Sequence, residues 1–188
     1  TRSFGSDASM VADMVIKELE GLSSQGVFGA VKHFPGQGGV SGDSHDGAVT
    51  LDKSLEELMQ TELVPFQKAL ENGVSFVMVG HISVPQVVGD NTPASLSQMM
   101  VSNVLREQLG YQGILITDAM NMGAVTGNYT ADQAAVMAVN AGVDMILMPQ
   151  DYETAYNGLL QAVQDGTISE ERIDESVERI VKVKLQMQ

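Results

Sequence analysis

The sequence predicts an α/β fold in which four parallel strands alternate with helices. Two features of the 188 residues lead to this prediction. Short apolar runs recur along the chain, and each is followed by a longer segment in which apolar residues have helical spacing. Strands that are separated by helices in this way lie parallel in one sheet and are joined by right-handed crossovers, so helices cover the sheet.

A helix comes before the first strand. Between residues 7 and 22 the apolar residues recur at helical spacing, at Val11, Met14, Val15, Leu19 and Leu22. Glycine-rich sequence follows, and the run FGAVKHF at 28–34 then predicts the first strand.

The second unit starts with a helix over residues 54–73. Ser54 is a suitable N-cap, and Glu57 three residues later completes a capping box. Pro65 predicts a kink, because proline lacks the N–H that the interior of a helix needs. The run VSFVMVGH at 74–81 predicts the second strand, and its apolar character indicates that this strand is buried.

Two more strands and four more helices complete the alternation. The predicted strands are GILITDAM at 113–120 and VDMILMP at 143–149. The predicted helices cover 97–110, 130–142, 151–166 and 169–188. A closed eight-stranded barrel needs twice as many strands and about 250 residues, so the pattern predicts half of such a barrel.

The composition restricts the partners that the chain can have. Its 24 Asp and Glu outnumber its 10 Lys and Arg and give a formal net charge of −14, which disfavours binding to nucleic acids and anionic membranes. No stretch approaches the ~18 uncharged apolar residues of a membrane span. The lack of cysteine excludes disulfides and thiolate chemistry, and it leaves cytoplasmic, secreted and cell-envelope locations open.

Polar residues stand at the ends of the predicted strands. Lys32 and His33 end the first strand, His81 ends the second, Asp118 ends the third, and residues 149–151 follow the fourth. Because the carboxyl ends of parallel strands form the ligand-binding edge of such a sheet, these residues predict a site. His81 is the most ambiguous of them, since a structural hydrogen bond fits its position as well as a ligand contact does.

The stretch KHFPGQGGVSGDSHDG at 32–47 concentrates ionisable groups in a predicted loop. Two of the three histidines of the chain lie here, together with Lys32, Asp43 and Asp46. Five glycines and one proline indicate a flexible connection rather than a helix or strand. A loop of this kind can carry a reactive group over a substrate and away again.

Several separated motifs give the chain a family resemblance. KHFPGQG is followed after four residues by DSH, and ITDAM comes after the segment TPASLS. In this order the motifs resemble the catalytic domain of glycoside hydrolase family 3, and in particular its bacterial β-N-acetylglucosaminidase branch. The resemblance extends from RSFG at the start to AGVDMILMP near the end. It implies that residues 1–188 form a single partial domain, the C-terminal half of a TIM-like (β/α)8 catalytic barrel.

The resemblance implies catalytic roles for three residues. Asp118 matches the nucleophile that attacks the anomeric carbon and forms a glycosyl-enzyme intermediate. His45 matches the acid/base, and Asp43 matches the carboxylate that orients the imidazole and favours its protonated form. Without the resemblance, the residues alone favour a cap for the following turn at Asp118 and a solvated turn with no role for DSHD.

Three further residues match sugar-binding positions of the family. Arg2, Lys32 and His33 correspond to residues that hydrogen-bond hydroxyls of the non-reducing-end sugar. The alternative for Lys32 is an ion pair at the mouth of the barrel.

The chain departs from the family motif within the loop. Gln37 stands where the family usually has a histidine, and Gly39 and Val40 stand where it has aspartate and threonine. Glutamine cannot carry a proton, so any ionisable role at that position is lost. The expected catalytic pair is unaffected, and the departures bear on the conformation of the loop and on aglycone preference.

The expected function is that of a retaining exo-β-N-acetylglucosaminidase without cofactor or metal. The resemblance implies that it removes terminal N-acetylglucosamine from peptidoglycan or chitin-type glycans. Residues 1–188 alone are expected to have little activity, because a barrel site draws residues from many strands. The expected partner of the half-barrel is the N-terminal half of the barrel or a second copy of the chain.

Two other functions fit parts of the pattern. A metal-dependent barrel hydrolase would also place polar residues at strand ends, so Lys32, His33, His81 and Asp118 fit metal ligands or their neighbours. A non-catalytic sugar-binding module with an open sheet would bind sugar without turnover.

Overall fold

The computed structural model describes residues 4–40 and 49–186 and has a four-stranded parallel sheet as its centre. The strands are β1 (Ala30–Phe34), β2 (Val49–Thr50), β3 (Phe76–Val79), β4 (Ile82–Ser83), β5 (Ile114–Ala119) and β6 (Met145–Leu147). The α-helices are α1 (Ala8–Ser23), α2 (Leu55–Gln60), α3 (Val64–Glu71), α4 (Pro85–Val88), α5 (Gly123–Thr126), α6 (Ala131–Ala141), α7 (Tyr152–Gln164) and α8 (Glu170–Leu185). A 3-10 turn at Ala94–Leu96 leads into a π-helix at Met99–Gln108.

The main sheet has the order β1-β3-β5-β6, and all of its strands are parallel. Val77 of β3 pairs with Val31 on one side and with Leu115 on the other, so three neighbouring strands are aligned. The prediction of four parallel strands that alternate with helices is therefore confirmed. Their alignment brings the carboxyl ends of β1, β3 and β5 to the same edge.

The two faces of the main sheet differ in burial. Val77, Val79 and Leu115 have no exposed surface and pack against the helices in one hydrophobic core. On the opposite face, the paired row Met78, Ile116 and Met145 is only partly buried. Side chains alternate along a strand, so Asp118, two residues after Ile116, lies on this less covered face.

The predicted helix at 54–73 is two helices. The capping box of Ser54 and Glu57 is present at the start of α2. The chain then breaks at residues 61–63, and Pro65 lies in the first turn of α3, where its missing N–H costs no hydrogen bond. The kink that proline predicts is thus a complete interruption a few residues before the proline.

The π-helix and the small second sheet differ from the predictions. The spacing over 97–110 predicts an α-helix, whereas the Leu109 N–H bonds to the Val104 carbonyl, five residues earlier. Strands β2 and β4 form a separate two-stranded parallel sheet. Each has only two residues, which is too short to produce an alternating pattern in a sequence.

Asp144 ties the amino end of the main sheet to the surrounding helices. Its carboxylate has no exposed surface and pairs with Arg106 of the π-helix and Arg179 of α8. It also accepts hydrogen bonds from the Leu115 N–H at 2.9 Å and from the Ser176 hydroxyl at 2.7 Å. A buried carboxylate is tolerated only when it is paired and hydrogen-bonded in this way, so the contacts fix β5 against two helices.

The helices within the described residues are all too short or too polar to cross a membrane.

Candidate active site

The carboxyl edge of the main sheet brings together four of the polar residues that the sequence singles out. Lys32 and His33 lie at the end of β1, and Asp118 is the penultimate residue of β5. His81 follows β3, which is hydrogen-bonded between these two strands. These four residues lie at the carboxyl ends of the strands, where the sequence predicts them.

Asp118 and His33 face each other across this edge. The His33 Nε2 atom is 3.4 Å from the Asp118 Oδ2 atom, and both side chains are largely buried, with 18% and 17% of their surfaces exposed. The other carboxylate oxygen, Oδ1, accepts a hydrogen bond from the Ala119 N–H at 2.8 Å. One oxygen is therefore held by the local turn, while the other lies beside the imidazole.

These contacts concern both interpretations of Asp118, the turn cap and the catalytic nucleophile. The hydrogen bond from Ala119 is the local contact expected of a turn-capping aspartate. Turn capping does not account for His33, which comes from a strand two positions away in the sheet. A carboxylate that is oriented by the next backbone N–H and keeps 17% of its surface exposed is suited to attack an electrophile that enters from the strand ends.

Lys32 is exposed beside this pair. It precedes His33, and the peptide bonds Lys32–His33 and Phe34–Pro35 are both cis. Among residues 4–40 and 49–186, the Lys32 ammonium has no ion pair. An exposed ammonium at this end of the strand suits hydrogen bonding to sugar hydroxyls.

His81 is fully buried and joins the end of β5 to the 3-10 turn. Its Nε2 atom is 3.0 Å from the carbonyl oxygen of Ala119, and its Nδ1 atom is 2.7 Å from the hydroxyl of Ser95. Because a carbonyl only accepts, Nε2 carries the proton and donates to Ala119, and Nδ1 accepts from Ser95. The ring therefore supports the residue that directly follows Asp118.

The environment of His81 favours its neutral form. Burial lowers the pKa of the imidazole below its ordinary value of 6.5. With both nitrogens already hydrogen-bonded, the ring has no lone pair available for a metal ion, so His81 does not fit the alternative of a metal ligand. Within the described ranges, no three His, Asp or Glu side chains are grouped as metal ligands would be.

Glu62 accounts for Gly39, which stands at one of the loop positions where the chain departs from the family motif. A Cβ atom at Gly39 would lie 2.8 Å from the Glu62 Oε1 atom, and one at Gly36 would lie 2.7 Å from the Glu62 Cβ atom. Gly36 also has a φ of +131°, which disfavours any other residue. The Glu62 carboxylate is itself paired with Lys53 at 2.6 Å. The start of the loop thus packs on this ion pair, and a side chain at residue 39 would require the Glu62 carboxylate to move.

Three of the predicted site residues lie outside the described part of the chain. These are the catalytic candidates Asp43 and His45 and the sugar-binding candidate Arg2. Sequence reasoning missed Ser95, which orients His81, because its partner is 14 residues away and no spacing links the two.

Comparisons with known proteins show similar sequences and the same fold. The family described as "Glycosyl hydrolase family 3 N terminal domain" matches residues 1–183. A β-N-acetylglucosaminidase/β-glucosidase of Cellulomonas fimi is 33% identical over 98% of this chain, which corresponds to 34% of that protein. The β-hexosaminidase LpqI of Mycobacterium tuberculosis is 35% identical over 97% of this chain and 48% of its own length.

A solved structure gives the same similarity in three dimensions. The structure of a glycoside hydrolase family 3 β-N-acetylglucosaminidase from Paenibacillus superposes with a TM-score of 0.96 at 40% sequence identity. The superposition covers 99% of this chain and 36% of that one. This chain therefore spans about a third to a half of the length of these similar proteins.

The buried state of His81 predicts a pH dependence of stability. Below pH 6.5 the unfolded chain binds a proton at this residue that the folded chain excludes, so the free energy of unfolding falls as pH falls. In His81→Gln the free energy of unfolding should fall less between about pH 7.5 and pH 5.5 than it does in the wild type. The variant should also be less stable than the wild type at pH 7.5, by roughly 1–3 kcal/mol.

Urea unfolding of both proteins at the two pH values measures this difference. His33 and His45 are present in both proteins, so their contributions cancel in the comparison. An identical pH dependence in the two proteins would contradict a buried, neutral His81.

Proposed function

The chain belongs to glycosyl hydrolase family 3, and on this basis we propose that its carboxyl edge is the catalytic centre of a retaining β-N-acetylglucosaminidase. The observation that carries the proposal is the position of Asp118. Its carboxylate ends β5 on the less covered face of the sheet, is oriented by the Ala119 N–H and lies beside His33. A retaining mechanism needs such a carboxylate within reach of the anomeric carbon.

The reaction proceeds in two displacements. In the first, Asp118 Oδ2 bonds to the anomeric carbon, the bond to the leaving oxygen breaks, and His45 gives that oxygen a proton. In the second, the neutral His45 takes a proton from water, the water oxygen bonds to the anomeric carbon, and the bond to Asp118 breaks. The sugar leaves with its original configuration, and both residues return to their starting states.

The remaining site residues bind and orient the sugar. Lys32 and His33 present N–H donors beside Asp118, where they hydrogen-bond hydroxyls of the terminal residue. Arg2 and Asp43 take the roles that the family resemblance implies, sugar binding and orientation of His45. The substrate is a glycan that ends in N-acetylglucosamine, in keeping with the names of the similar proteins.

Trapping of the glycosyl-enzyme tests the proposed nucleophile. An activated 2-fluoro sugar should add its mass to the full-length protein, and peptide mapping should place the label on Asp118, because fluorine slows hydrolysis of the intermediate. Asp118→Asn should take up no label, whereas the control variant Asp13→Asn, on the exposed side of α1, should be labelled like the wild type. Label on another residue would refute the assignment.

The dependence of rate on the leaving group tests the role of His45. In His45→Ala, hydrolysis of glycosides with poor leaving groups should slow by roughly 10²–10⁴-fold, the usual contribution of general acid catalysis. Substrates with acidic phenols should lose much less in the bond-breaking step, because these phenolates leave without a proton. An equal loss for both substrate classes in that step would indicate a structural role for His45.

Residues 1–188 alone should have at least ~100-fold lower glycosidase activity than the full-length protein, because a displacement of ~1 Å in a site costs about this factor. Within the described residues, the outer edges of β1 and β6 are unpaired in the main sheet, and one face is partly uncovered. These surfaces should favour association with the N-terminal half of the barrel or with a second copy.

A chromogenic N-acetylglucosaminide assay and light scattering check this expectation. A fully active, monodisperse monomer of residues 1–188 would show that strands of an N-terminal half of the barrel have no part in the site.

A further inference from the structure

A cleft lies beside the carboxyl edge of the main sheet. This cleft has a volume of about 580 Å³, within the range of about 300–1,000 Å³ that is usual for small-ligand sites. Its walls come from the segment after α4, at residues 90–93, and from the turn after α5, where Asn128 and Tyr129 lie. Thr50 of β2 completes the wall, and none of these residues has a role in the sequence-based site.

His81 links the cleft to the reacting carboxylate. The imidazole lines the cleft and at the same time donates a hydrogen bond to the Ala119 carbonyl, one residue after Asp118. Ser83, which follows in β4, also lines the cleft and donates its hydroxyl to the Asn91 carbonyl at 2.7 Å. The cleft therefore begins next to the catalytic edge, and part of its wall is fixed by hydrogen bonds.

The lining of the cleft is polar but carries no positive charge. It contains hydroxyls, the side-chain amides of Asn91 and Asn128, the ring of Tyr129 and the carboxylate of Asp90, and among the described residues it contains no lysine or arginine. Hydrogen bonds from Thr92 lower the pKa of Asp90, so this carboxylate is ionised at neutral pH. Such a surface suits a ligand with neutral hydroxyl and amide groups and disfavours a carboxylate.

We propose that this cleft binds the second sugar of the substrate, and that it selects a neutral N-acetylglucosamine residue over a sugar that bears a carboxylate. The inference rests on the proposed function, because the second sugar is the leaving group of the reaction proposed for Asp118. Asn128 and Asp90 hydrogen-bond the hydroxyl or amide groups of the second residue, and the negative charge of Asp90 repels an acidic substituent. The substrate class is therefore a chitin-type oligomer rather than a muramic-acid-containing glycan.

The test compares substrates with and without a second sugar in the full-length protein. For chitobiose relative to 4-nitrophenyl N-acetylglucosaminide, the ratio of kcat/KM values should fall roughly 3- to 10-fold in Asn128→Ala, which loses one hydrogen bond, and in Asp90→Asn, where a hydrogen bond to a charged group becomes a weaker, neutral one. The matched controls Asn157→Ala on α7 and Asp13→Asn on α1 change exposed residues outside the cleft and should leave this ratio unchanged.

A charged substrate tests the selectivity. The wild type should hydrolyse chitobiose with a higher kcat/KM than the disaccharide whose second residue is N-acetylmuramic acid, and Asp90→Asn should narrow this preference. An equal kcat/KM for the two disaccharides in the wild type, or an unchanged preference in Asp90→Asn, would overturn the proposed selection.

Calorimetry separates this inference from the proposed function. Triacetylchitotriose is titrated into the full-length Asp118→Asn protein, with and without Asn128→Ala or Asp90→Asn, so no turnover is needed. Weaker binding in the double variants would support the cleft as a sugar site, whether or not the wild type hydrolyses the sugar. A failure of hydrolysis would contradict only the proposed function. Equal binding in all variants, together with hydrolysis by the wild type, would overturn the cleft assignment and leave the proposed function intact.

Discussion

Parallel, aligned pairing of β1, β3 and β5 is the constraint on which the site depends. Because all three strands run in one direction, their last residues meet at one edge, and residues that are 85 positions apart in sequence, His33 and Asp118, come within 3.4 Å. The helices cover one face and bury Val77 and Leu115 completely, which leaves the polar groups to the strand ends and the other face. The position of the candidate site thus follows from the topology of the sheet.

Buried polar groups secure both ends of this sheet. At the amino end, Asp144 joins β5 to the π-helix and α8 through Arg106 and Arg179. At the carboxyl end, His81 joins the segment after β3 to the residue beside Asp118. In the described part of the chain, no buried side-chain polar atom lacks a hydrogen-bond partner. Fully satisfied groups of this kind hold one arrangement, which is what an oriented carboxylate requires.

The sequence predicts the features that depend on repetition or on strong local signals. The alternation of strands and helices, the cap at Ser54 and the placement of Asp118 at a strand end all belong to this group. The contacts that refine the site do not, because they join distant positions without periodic spacing. The hydrogen bond between His81 and Ser95, the packing of Gly39 on Glu62 and the cleft beside His81 depend on loop paths that no local pattern encodes.

The proposed covalent bond between Asp118 and the sugar requires two displacements at the anomeric carbon. The most direct measurement is the anomeric configuration of the first product that the full-length protein releases, followed by proton NMR before mutarotation. The account predicts that β-N-acetylglucosamine appears first and that the α-anomer grows in later. Initial release of the α-anomer would mean a single displacement by water and would contradict a nucleophilic Asp118.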